Sequence, residues 1–270
     1  MGDCKIGILG CAGRMGRMLI AATHDRAGCA VVGGTEPAGS PSFGKDLGEL
    51  AGLGPIGILA AEDASALFTA SDVVIDFTVP AASVAHADMA AESGTALLIG
   101  TTGLTGDQIA MIEAAGNKAP ILIAANMSLG VNLLLEVVEQ VAAALDEDYD
   151  IEVLEMHHRH KVDSPSGTAL ALGKAAAAGR GVDLEAVADK VRDGIVGARK
   201  RGDIGFATLR GGDVSGEHSV IFAADGERVI LSHKASNREV FSRGAITAAQ
   251  WLNGRPAGVY SMKDVLGLSK

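Results

Sequence analysis

A glycine-rich turn near the start of the chain constrains the fold more than any other feature. Lys5 to Leu9 has the apolar character of a short buried strand, Gly10 to Gly16 reads GCAGRMG, and Arg14 to His24 has helical spacing. Glycines at such a turn allow backbone N–H groups to approach a pyrophosphate, and the positive end of the helix dipole strengthens the attraction. The spacing is GxxGxxG instead of the usual GxGxxG, so the strand–turn–helix context carries the prediction of a dinucleotide-binding turn.

The rest of the first half alternates short apolar runs with helical patterns. Such alternation predicts a parallel sheet with helices on both faces. Residues 36–55 are rich in Gly, Pro and Ser and are predicted to form a loop. The predicted strands are Ala30 to Thr35, Val73 to Phe77, Ala96 to Ile99 and Ile121 to Ala124, and the predicted helices are Ala81 to Glu92 and Thr105 to Asn117.

The pattern changes after Asn126, where strands follow one another more often. Ala224 to Glu227 reads ADGE, a hairpin signal between two of these strands. The predicted helices are Leu129 to Leu145, Gly167 to Ala178 and Arg238 to Leu252, the predicted strands are Tyr149 to Met156, Phe206 to Arg210, His218 to Ala224 and Glu227 to Ser232, and Tyr260 to Leu266 forms a short closing segment. The predicted fold class is α/β, with a Rossmann-like parallel-sheet cofactor domain at residues 1–127 and a smaller α+β mixed-sheet domain at residues 128–240.

The composition argues against nucleic acid and membrane as partners. A chain of net charge -10 with 3% aromatic residues lacks the cationic surface and the stacking platforms that nucleic-acid binding uses. Its apolar runs stay below the roughly 18 residues that span a membrane, and the first residues lack the pattern of a secretory signal. Cys4, Cys11 and Cys29 form no CxxC pair, and three cysteines give no complete disulfide framework. We therefore expect a cytoplasmic protein with reduced thiols.

An acidic residue stands where a dinucleotide site needs one. Glu36 follows the second predicted strand, at a spacing typical of the carboxylate that accepts hydrogen bonds from the adenosine ribose. A free 2′-hydroxyl group suits such an acceptor, whereas a 2′-phosphate needs a nearby cation. Glu36 therefore favours NADH, while Arg14 in the turn leaves NADPH open as the alternative.

The densest group of reactive side chains lies between Glu155 and Thr168, in the run EMHHRHKVDSPSGT. Three histidines and two other cations fall between His157 and Lys161, in a chain of net negative charge. The N–H groups of the helix predicted to begin at Gly167 can hold one carboxylate, and Lys and His side chains can pair with a second. The segment predicts a site for a small dianion with general acid–base groups.

Two other interpretations of this segment stay open. His157, His158 and His160 could form a zinc site, although the adjacent Arg159 and Lys161 would repel a dication. The segment could also be a solvated run of charges with a structural role only.

In its motifs the sequence resembles the 4-hydroxy-tetrahydrodipicolinate reductase family, also called dihydrodipicolinate reductases, over essentially the whole chain. The most specific motif is Glu155 to Ala169, EMHHRHKVDSPSGTA. Supporting motifs are Gly10 to Gly16, Asp76 to Thr78, Gly100 to Gly103, Asn126 to Asn132, Arg210 to Asp213, Gly216 to His218 and His233 to Ala235.

The resemblance implies the reduction of 4-hydroxy-tetrahydrodipicolinate to tetrahydrodipicolinate with NADH or NADPH, in lysine and diaminopimelate biosynthesis. It further implies a homotetramer, assembled by the second domain, and the return of residues 241–270 to the cofactor domain. His157 is implied as a proton donor or acceptor and Lys161 as a proton donor. Substrate carboxylates are assigned to His158, Gly167 and Thr168. The cofactor is assigned to Gly10, Cys11, Ala12, Gly13, Arg14, Met15, Glu36, Gly100, Thr101, Thr102, Ala124, Ala125, Asn126 and Met127.

The sequence departs from the family pattern after Glu36. Some relatives place Arg directly after this glutamate, where it meets the phosphate of NADPH, and this chain has Pro37. We therefore expect NADH to be used at least as well as NADPH. Other functions consistent with the sequence are a dinucleotide-binding regulator without catalysis, a metal-dependent hydrolase, and a related reductase of another dicarboxylate.

Overall fold

The computed structural model describes residues 2–269 and divides them into two units. The first unit contains the residues up to Leu129 and those from Glu239 onward, and the second contains Gly130–Arg238. The chain thus leaves the first unit once and returns to it for its last two helices and its last strand. No helix in the described residues is long and apolar enough to cross a membrane.

A seven-stranded parallel sheet forms the centre of the first unit, with strand order β12-β6-β5-β4-β1-β2-β3. Its strands are β1 (Cys4–Leu9), β2 (Cys29–Thr35), β3 (Ala60–Ala61), β4 (Val73–Asp76), β5 (Ala96–Ile99), β6 (Pro120–Ile123) and β12 (Gly258–Tyr260). The helices are α1 (Arg14–His24), α2 (Leu47–Ala51), α3 (Ala64–Ala70), α4 (Pro80–Ser93), α5 (Gly106–Ala115), α9 (Glu239–Leu252) and α10 (Met262–Val265).

Both faces of this sheet are covered, as the continuous apolar strands predict. Val73 and Ile75 of β4 enter one buried cluster together with Ile6 and Ile8. Val74, between them in β4, enters a second cluster on the opposite face. Because successive side chains of a strand point to opposite faces, a strand buried throughout needs helices on both sides.

The second unit contains a five-stranded mixed sheet in the order β11-β10-β7-β9-β8. Strands β7, β9 and β8 run parallel, while β10 is antiparallel to both β7 and β11. The strands are β7 (Asp150–His157), β8 (Ala188–Asp189), β9 (Ile204–Arg210), β10 (Gly216–Ala224) and β11 (Glu227–Ala235), and the helices are α6 (Leu129–Ala144), α7 (Gly167–Arg180) and α8 (Leu184–Val187).

The sheets confirm the predicted fold class of a Rossmann-like parallel sheet plus a mixed-sheet unit. The helix from Arg14 to His24 has the predicted bounds. The predicted hairpin is also confirmed, because Ala224 pairs with Glu227 across a two-residue turn and Gly226 has a φ of 87°.

The predicted loop at residues 36–55 is wrong in part, because it contains the short helix α2. The carboxylate of Asp46 caps this helix by accepting hydrogen bonds from the N–H groups of Gly48 and Glu49. It also accepts from the N–H groups of Ile56 and Gly57, which close the loop behind the helix. A five-residue helix held by one side chain has no apolar periodicity, which explains why the pattern analysis missed it.

Candidate active site

The glycine turn lies at the carboxyl end of β1 and leads directly into α1. Gly10 adopts a φ of 66°, in the left-handed region that favours glycine. Gly13 is the N-cap residue of α1, and no side chain caps this end of the helix. The first turn of α1 therefore presents backbone N–H groups and the positive end of its dipole, which suits the pyrophosphate of a dinucleotide.

The third glycine of the motif allows the turn to pack directly against the helix. A Cβ atom at Gly16 would lie 2.2 Å from the carbonyl oxygen of Gly10 and 2.7 Å from Cα of Cys11. Both atoms belong to the backbone and have little room to move away. The close packing explains why GxxGxxG spacing is needed here and supports the dinucleotide-binding interpretation of the turn.

Glu36 lies beside this turn, at the carboxyl end of β2. Its Oε1 accepts a hydrogen bond from the N–H of Ala12 at 2.7 Å, and its Oε2 accepts one from the hydroxyl of Ser40 at 3.2 Å. The glycine turn and the predicted ribose acceptor are therefore in contact. Burial and the negative charge of Glu36 raise the pKa of the neighbouring Cys11 to about 12, so this thiol stays protonated.

A cavity of about 340 Å³ lies at the carboxyl ends of β4, β5 and β6. One wall is the ring of Phe77, and a Cβ atom at Gly100 would lie 2.3 Å from that ring. Glycine at position 100 is therefore needed for Phe77 to occupy its place. The cavity is lined by Met15, Phe77, Thr78, Gly100, Thr101, Thr102, Ala125, Asn126, Met127 and Phe241.

A buried carboxylate organises the floor of this cavity. Asp76, which is fully buried, accepts hydrogen bonds from the N–H and hydroxyl of Thr78, from the hydroxyl of Thr101 and from Nδ1 of His86, at 2.6 to 3.2 Å. Burial alone would raise the pKa of Asp76, but the hydrogen bond and charge of His86 outweigh it and leave the pKa below its usual value. Two of the cavity-lining residues are thus held by one ionised group.

Most of the predicted cofactor residues lie in this part of the first unit. Seven of them line the cavity, and Gly10, Cys11, Ala12, Gly13 and Arg14 form the adjoining turn beside Glu36. Ala124 is not among the lining residues and packs against the hydrophobic core. Phe77, Thr78 and Phe241 also line the cavity and have no cofactor role predicted from the sequence. A signal existed for the first two, since they stand in the motif from Asp76 to Thr78 at the carboxyl end of a predicted strand, whereas Phe241 carried none.

In the second unit, His157 lies at the carboxyl end of β7 and is 8% exposed. Its Nδ1 is 2.6 Å from Oε2 of Glu155, and Arg210 at the end of β9 donates to both oxygens of the same carboxylate at 2.7 and 2.9 Å. The rings of His157 and His218 meet edge to face, with centroids 5.0 Å apart. Of these residues only His157 has a role predicted from the sequence, although Glu155, Arg210 and His218 also stand in the motifs of the family.

The other cations of this segment lie in the loop that follows β7. Lys161 pairs with Asp163, with Nζ 2.7 Å from Oδ1, and its side chain is 21% exposed. His158 is placed near Arg238, whose Nη2 is 3.4 Å from the imidazole Nε2. Burial and the charge of Arg238 lower the pKa of His158, which favours the neutral ring at physiological pH.

The loop ends at the start of α7, which has a side-chain cap. Ser166 is the N-cap residue, and its hydroxyl accepts a hydrogen bond from the N–H of Ala169 at 3.2 Å. Gly167 and Thr168 follow in the first turn, where backbone N–H groups point out of the helix. The predicted carboxylate-binding residues and the predicted proton-transfer residues therefore lie between the end of β7 and the first turn of α7.

The zinc interpretation has no geometric support in the described part of the chain. No group of three His, Cys, Asp or Glu side chains among residues 2–269 is placed to hold a metal ion. Nδ1 of His157 is engaged by Glu155, and the rings of His158 and His160 lie 6.2 Å apart and tilted.

The fold and the glycine turn define the class of protein as a nicotinamide-dependent oxidoreductase with a Rossmann-like domain. Residues 4–127 match the family model "Dihydrodipicolinate reductase, N-terminus", and residues 130–266 match the model "Dihydrodipicolinate reductase, C-terminus". The chain belongs to the dihydrodipicolinate reductase family.

Relatives and solved structures agree with this assignment. The chain is 56% identical to the 4-hydroxy-tetrahydrodipicolinate reductase of Afipia carboxidovorans, over 99% of this chain and 98% of that protein. It is 55% identical to 4-hydroxy-tetrahydrodipicolinate reductase 1 of Mesorhizobium japonicum, with the same coverage.

Its fold is similar to the dipicolinate-bound dihydrodipicolinate reductase of Paenisporosarcina sp. TG-14, with a TM-score of 0.77, 21% identity and 96% and 97% of the two chains covered. A more distant fold match is the WlbA dehydrogenase of Chromobacterium violaceum, solved with NADH and UDP-GlcNAcA. Its TM-score is 0.59 at 12% identity, with 100% of this chain and 88% of that chain covered.

His218 gives the second unit a specific sensitivity to acid. Burial and the nearby charge of His157 lower the pKa of His218 to about 4, against about 6.5 for an unfolded histidine. As the pH falls from about 6.5 to 4, the unfolded chain gains a proton that the folded chain does not, so the free energy of unfolding decreases by up to about 3 kcal/mol. We predict that in His218→Asn the free energy of unfolding decreases less steeply over this pH range. Urea midpoints from pH 7.5 to 4 measure the difference.

Substitution of an exposed histidine provides the control. His24→Asn should reproduce the slope of the unsubstituted protein at the same chain concentration. Because carboxylates contribute equally in all three proteins, the difference in slope isolates His218. Parallel curves for His218→Asn and the unsubstituted protein contradict the prediction.

Proposed function

We propose that this reductase converts 4-hydroxy-tetrahydrodipicolinate to tetrahydrodipicolinate in lysine and diaminopimelate biosynthesis, using a reduced nicotinamide. The single observation that carries the proposal is the loop between β7 and α7. It combines His157, His158 and Lys161 with the N-terminus of α7, in a chain whose net charge is -10. A small planar ring with two carboxylates matches such a site, and the names of the closely related proteins specify the same substrate.

The two carboxylates of the substrate require two kinds of partner. We assign one carboxylate to the backbone N–H groups and hydroxyl at Gly167 and Thr168, where the helix dipole adds to the attraction. We assign the other to His158 and the cationic surroundings of Lys161. This pairing would fix the orientation of the ring relative to Lys161 and His157, which lowers the entropy cost of the reaction.

The cofactor is assigned to the first unit. The uncapped first turn of α1 and the close approach of Gly10 to Gly16 suit a pyrophosphate, and Glu36 suits the ribose. Gly100 to Thr102 and Ala125 to Met127 line the adjoining cavity. When bound, the reduced nicotinamide supplies the hydride. The chain's own residues then have to hold the substrate ring and move one proton.

Proton delivery is assigned to Lys161 or His157. Hydride addition to a carbon conjugated with the ring imine leaves negative charge on the ring, and a positioned acid removes it. Lys161 is held by Asp163 in the loop that follows β7. His157 is the other positioned group, and it is held by Glu155.

We predict that Lys161→Ala and His157→Ala each reduce turnover by about 100- to 10,000-fold, since this is the usual contribution of a positioned acid. Binding of NADH should change little, because the glycine turn lies in the other unit. Steady-state kinetics with enzymatically generated substrate and a fluorescence titration of NADH give the two readouts. Lys174→Ala, an exposed lysine of α7, is the matched control. Unchanged turnover in both test variants removes the assignment.

Cofactor preference is the second testable point. Glu36 already contacts the glycine turn, and Pro37 offers no cation to a 2′-phosphate. We predict that NADH is used at least as well as NADPH, and that Pro37→Arg raises kcat/KM for NADPH selectively. Competition assays with both cofactors measure the ratio. A large NADPH preference in the unsubstituted enzyme refutes the roles given to Glu36 and Pro37.

We also propose that the enzyme is a cytoplasmic homotetramer assembled through the second unit. All three cysteines are free and buried, which suits a reducing compartment. Helices α6 and α7 pack on one face of the five-stranded sheet. The opposite face carries exposed apolar side chains on two strands, Leu209 of β9 and Ile230 of β11, which are 48% and 56% exposed. Exposed apolar side chains on a sheet face suit symmetric assembly.

The tetramer is tested on this exposed face, at the edge strand β11. Ile230→Lys places a charge there. We predict that the unsubstituted protein has the mass of four chains and that the variant dissociates into smaller particles. Light scattering at several protein concentrations measures the mass of both. Met111→Lys, an equally exposed apolar residue in the first unit, should leave the assembly intact. A monomeric unsubstituted protein refutes the proposal outright.

A further inference from the structure

We propose that Glu155 is the positioning residue of this active site: its buried carboxylate fixes the ring tautomer of His157 and ties that ring to the start of α7. The role extends the proposed function, because it depends on proton transfer by His157. Glu155 itself is not assigned to a step of the reaction.

The carboxylate of Glu155 is saturated with donors from its own unit. Its Oε2 accepts from Nδ1 of His157 at 2.6 Å and from Nη1 of Arg210 at 2.7 Å. Its Oε1 accepts from the N–H of Ser166 at 2.9 Å and from Nη2 of Arg210 at 2.9 Å. The side chain is only 1% exposed, and a carboxylate has about four acceptor positions. No position remains for substrate, which separates Glu155 from the groups that react.

Glu155 remains ionised despite its burial. Burial alone would raise the pKa of this carboxyl, but the hydrogen bonds from Arg210 and His157 outweigh it and leave the pKa below the usual value. An ionised carboxylate only accepts hydrogen bonds. Nδ1 of His157 must therefore carry the hydrogen, and Nε2 is the nitrogen that gains or loses the catalytic proton.

The same carboxylate connects His157 to the groups assigned to the substrate. Ser166, whose N–H donates to Oε1, is the N-cap residue of α7 and so places Gly167 and Thr168. Arg210 also donates to the carbonyl oxygen of Asp163 at 2.6 Å, and Asp163 pairs with Lys161. One buried group thus holds the imidazole and both ends of the substrate-binding loop.

A purely structural ion pair is the competing explanation for these contacts. Such a pair affects the free energy of unfolding and leaves the chemical step alone. A positioning residue affects turnover through His157, with little effect on cofactor binding. Removing the charge from the carboxylate of a comparable carboxylate–imidazole pair costs about 10,000-fold in turnover, because the ring adopts the wrong tautomer.

Glu155→Gln tests the difference, because glutamine keeps the shape and removes the charge. We expect kcat to fall by about 100-fold or more while KM for NADH stays within about twofold of its original value. The matched control is Glu152→Gln on the same strand, where the carboxylate pairs with Arg192 and Arg199. The control loses arginine pairs as well and should retain full turnover. A fall of equal size in both variants overturns the proposal.

A double-mutant cycle with His157→Asn shows whether Glu155 acts through the imidazole. We expect Glu155→Gln to cause a smaller fold decrease in kcat in the His157→Asn background than in the unsubstituted enzyme, by a factor of about ten or more. Equal losses in the two backgrounds overturn the positioning role. Unchanged turnover in His157→Asn alone is a different result, since it refutes the proton-transfer role in the proposed function.

The tautomer can be measured without activity and without a variant at Glu155. In protein labelled with ¹⁵N-histidine, the His157 resonances, identified by their loss in His157→Asn, should show a proton on Nδ1 at neutral pH. Glu155→Gln should move that proton to Nε2. A neutral ring in the unsubstituted protein with its single proton on Nε2 and none on Nδ1 overturns the proposal, whether or not Glu155→Gln folds.

Discussion

The burial of a charged carboxylate at the end of a central strand is the constraint on which both sites depend. Asp76 ends β4, the middle strand of the seven-stranded sheet, and Glu155 lies near the end of β7, the middle strand of the five-stranded sheet. An ionised group in such a place is tolerated only when every acceptor position has a donor. The donors that satisfy Asp76 include Thr78 and Thr101 of the cavity, and those that satisfy Glu155 include His157 and Ser166.

The two sites nevertheless differ in what specifies them. The glycine turn and the adjoining cavity of the first unit are specified mainly by backbone geometry, because Gly16 and Gly100 stand where any Cβ atom would overlap a neighbour. The loop that follows β7 is specified by charge, because histidine, arginine and lysine follow one another from His157 to Lys161. Pyrophosphate is recognised through N–H groups that every residue has, so shape is decisive there. A small dianion needs cations, so residue identity is decisive in the loop.

Much of the fold could be predicted from the sequence because its signals are local. The strand, turn and helix from Cys4 to His24 and the hairpin at Asp225 and Gly226 are specified by residues adjacent in the chain. Helix α2 was missed because a single side chain, Asp46, holds it. Phe241 and Arg210 were missed for another reason. Each reaches its site from a distant segment, and Arg210 lies 55 positions from Glu155, so no spacing in the sequence links them.

The same distinction explains why the segment from Glu155 to Thr168 invited three interpretations. The sequence of this segment shows a concentration of cationic residues, but it does not show which of their side chains face a ligand. In the folded chain Glu155 is buried in the second unit and pairs with Arg210, a cation from outside the segment. Lys161 pairs with a more exposed acid, Asp163, and so stays near solvent. The buried acid thus pairs with a distant arginine instead of the lysine, so the number of cations in the segment does not show which cation its glutamate binds.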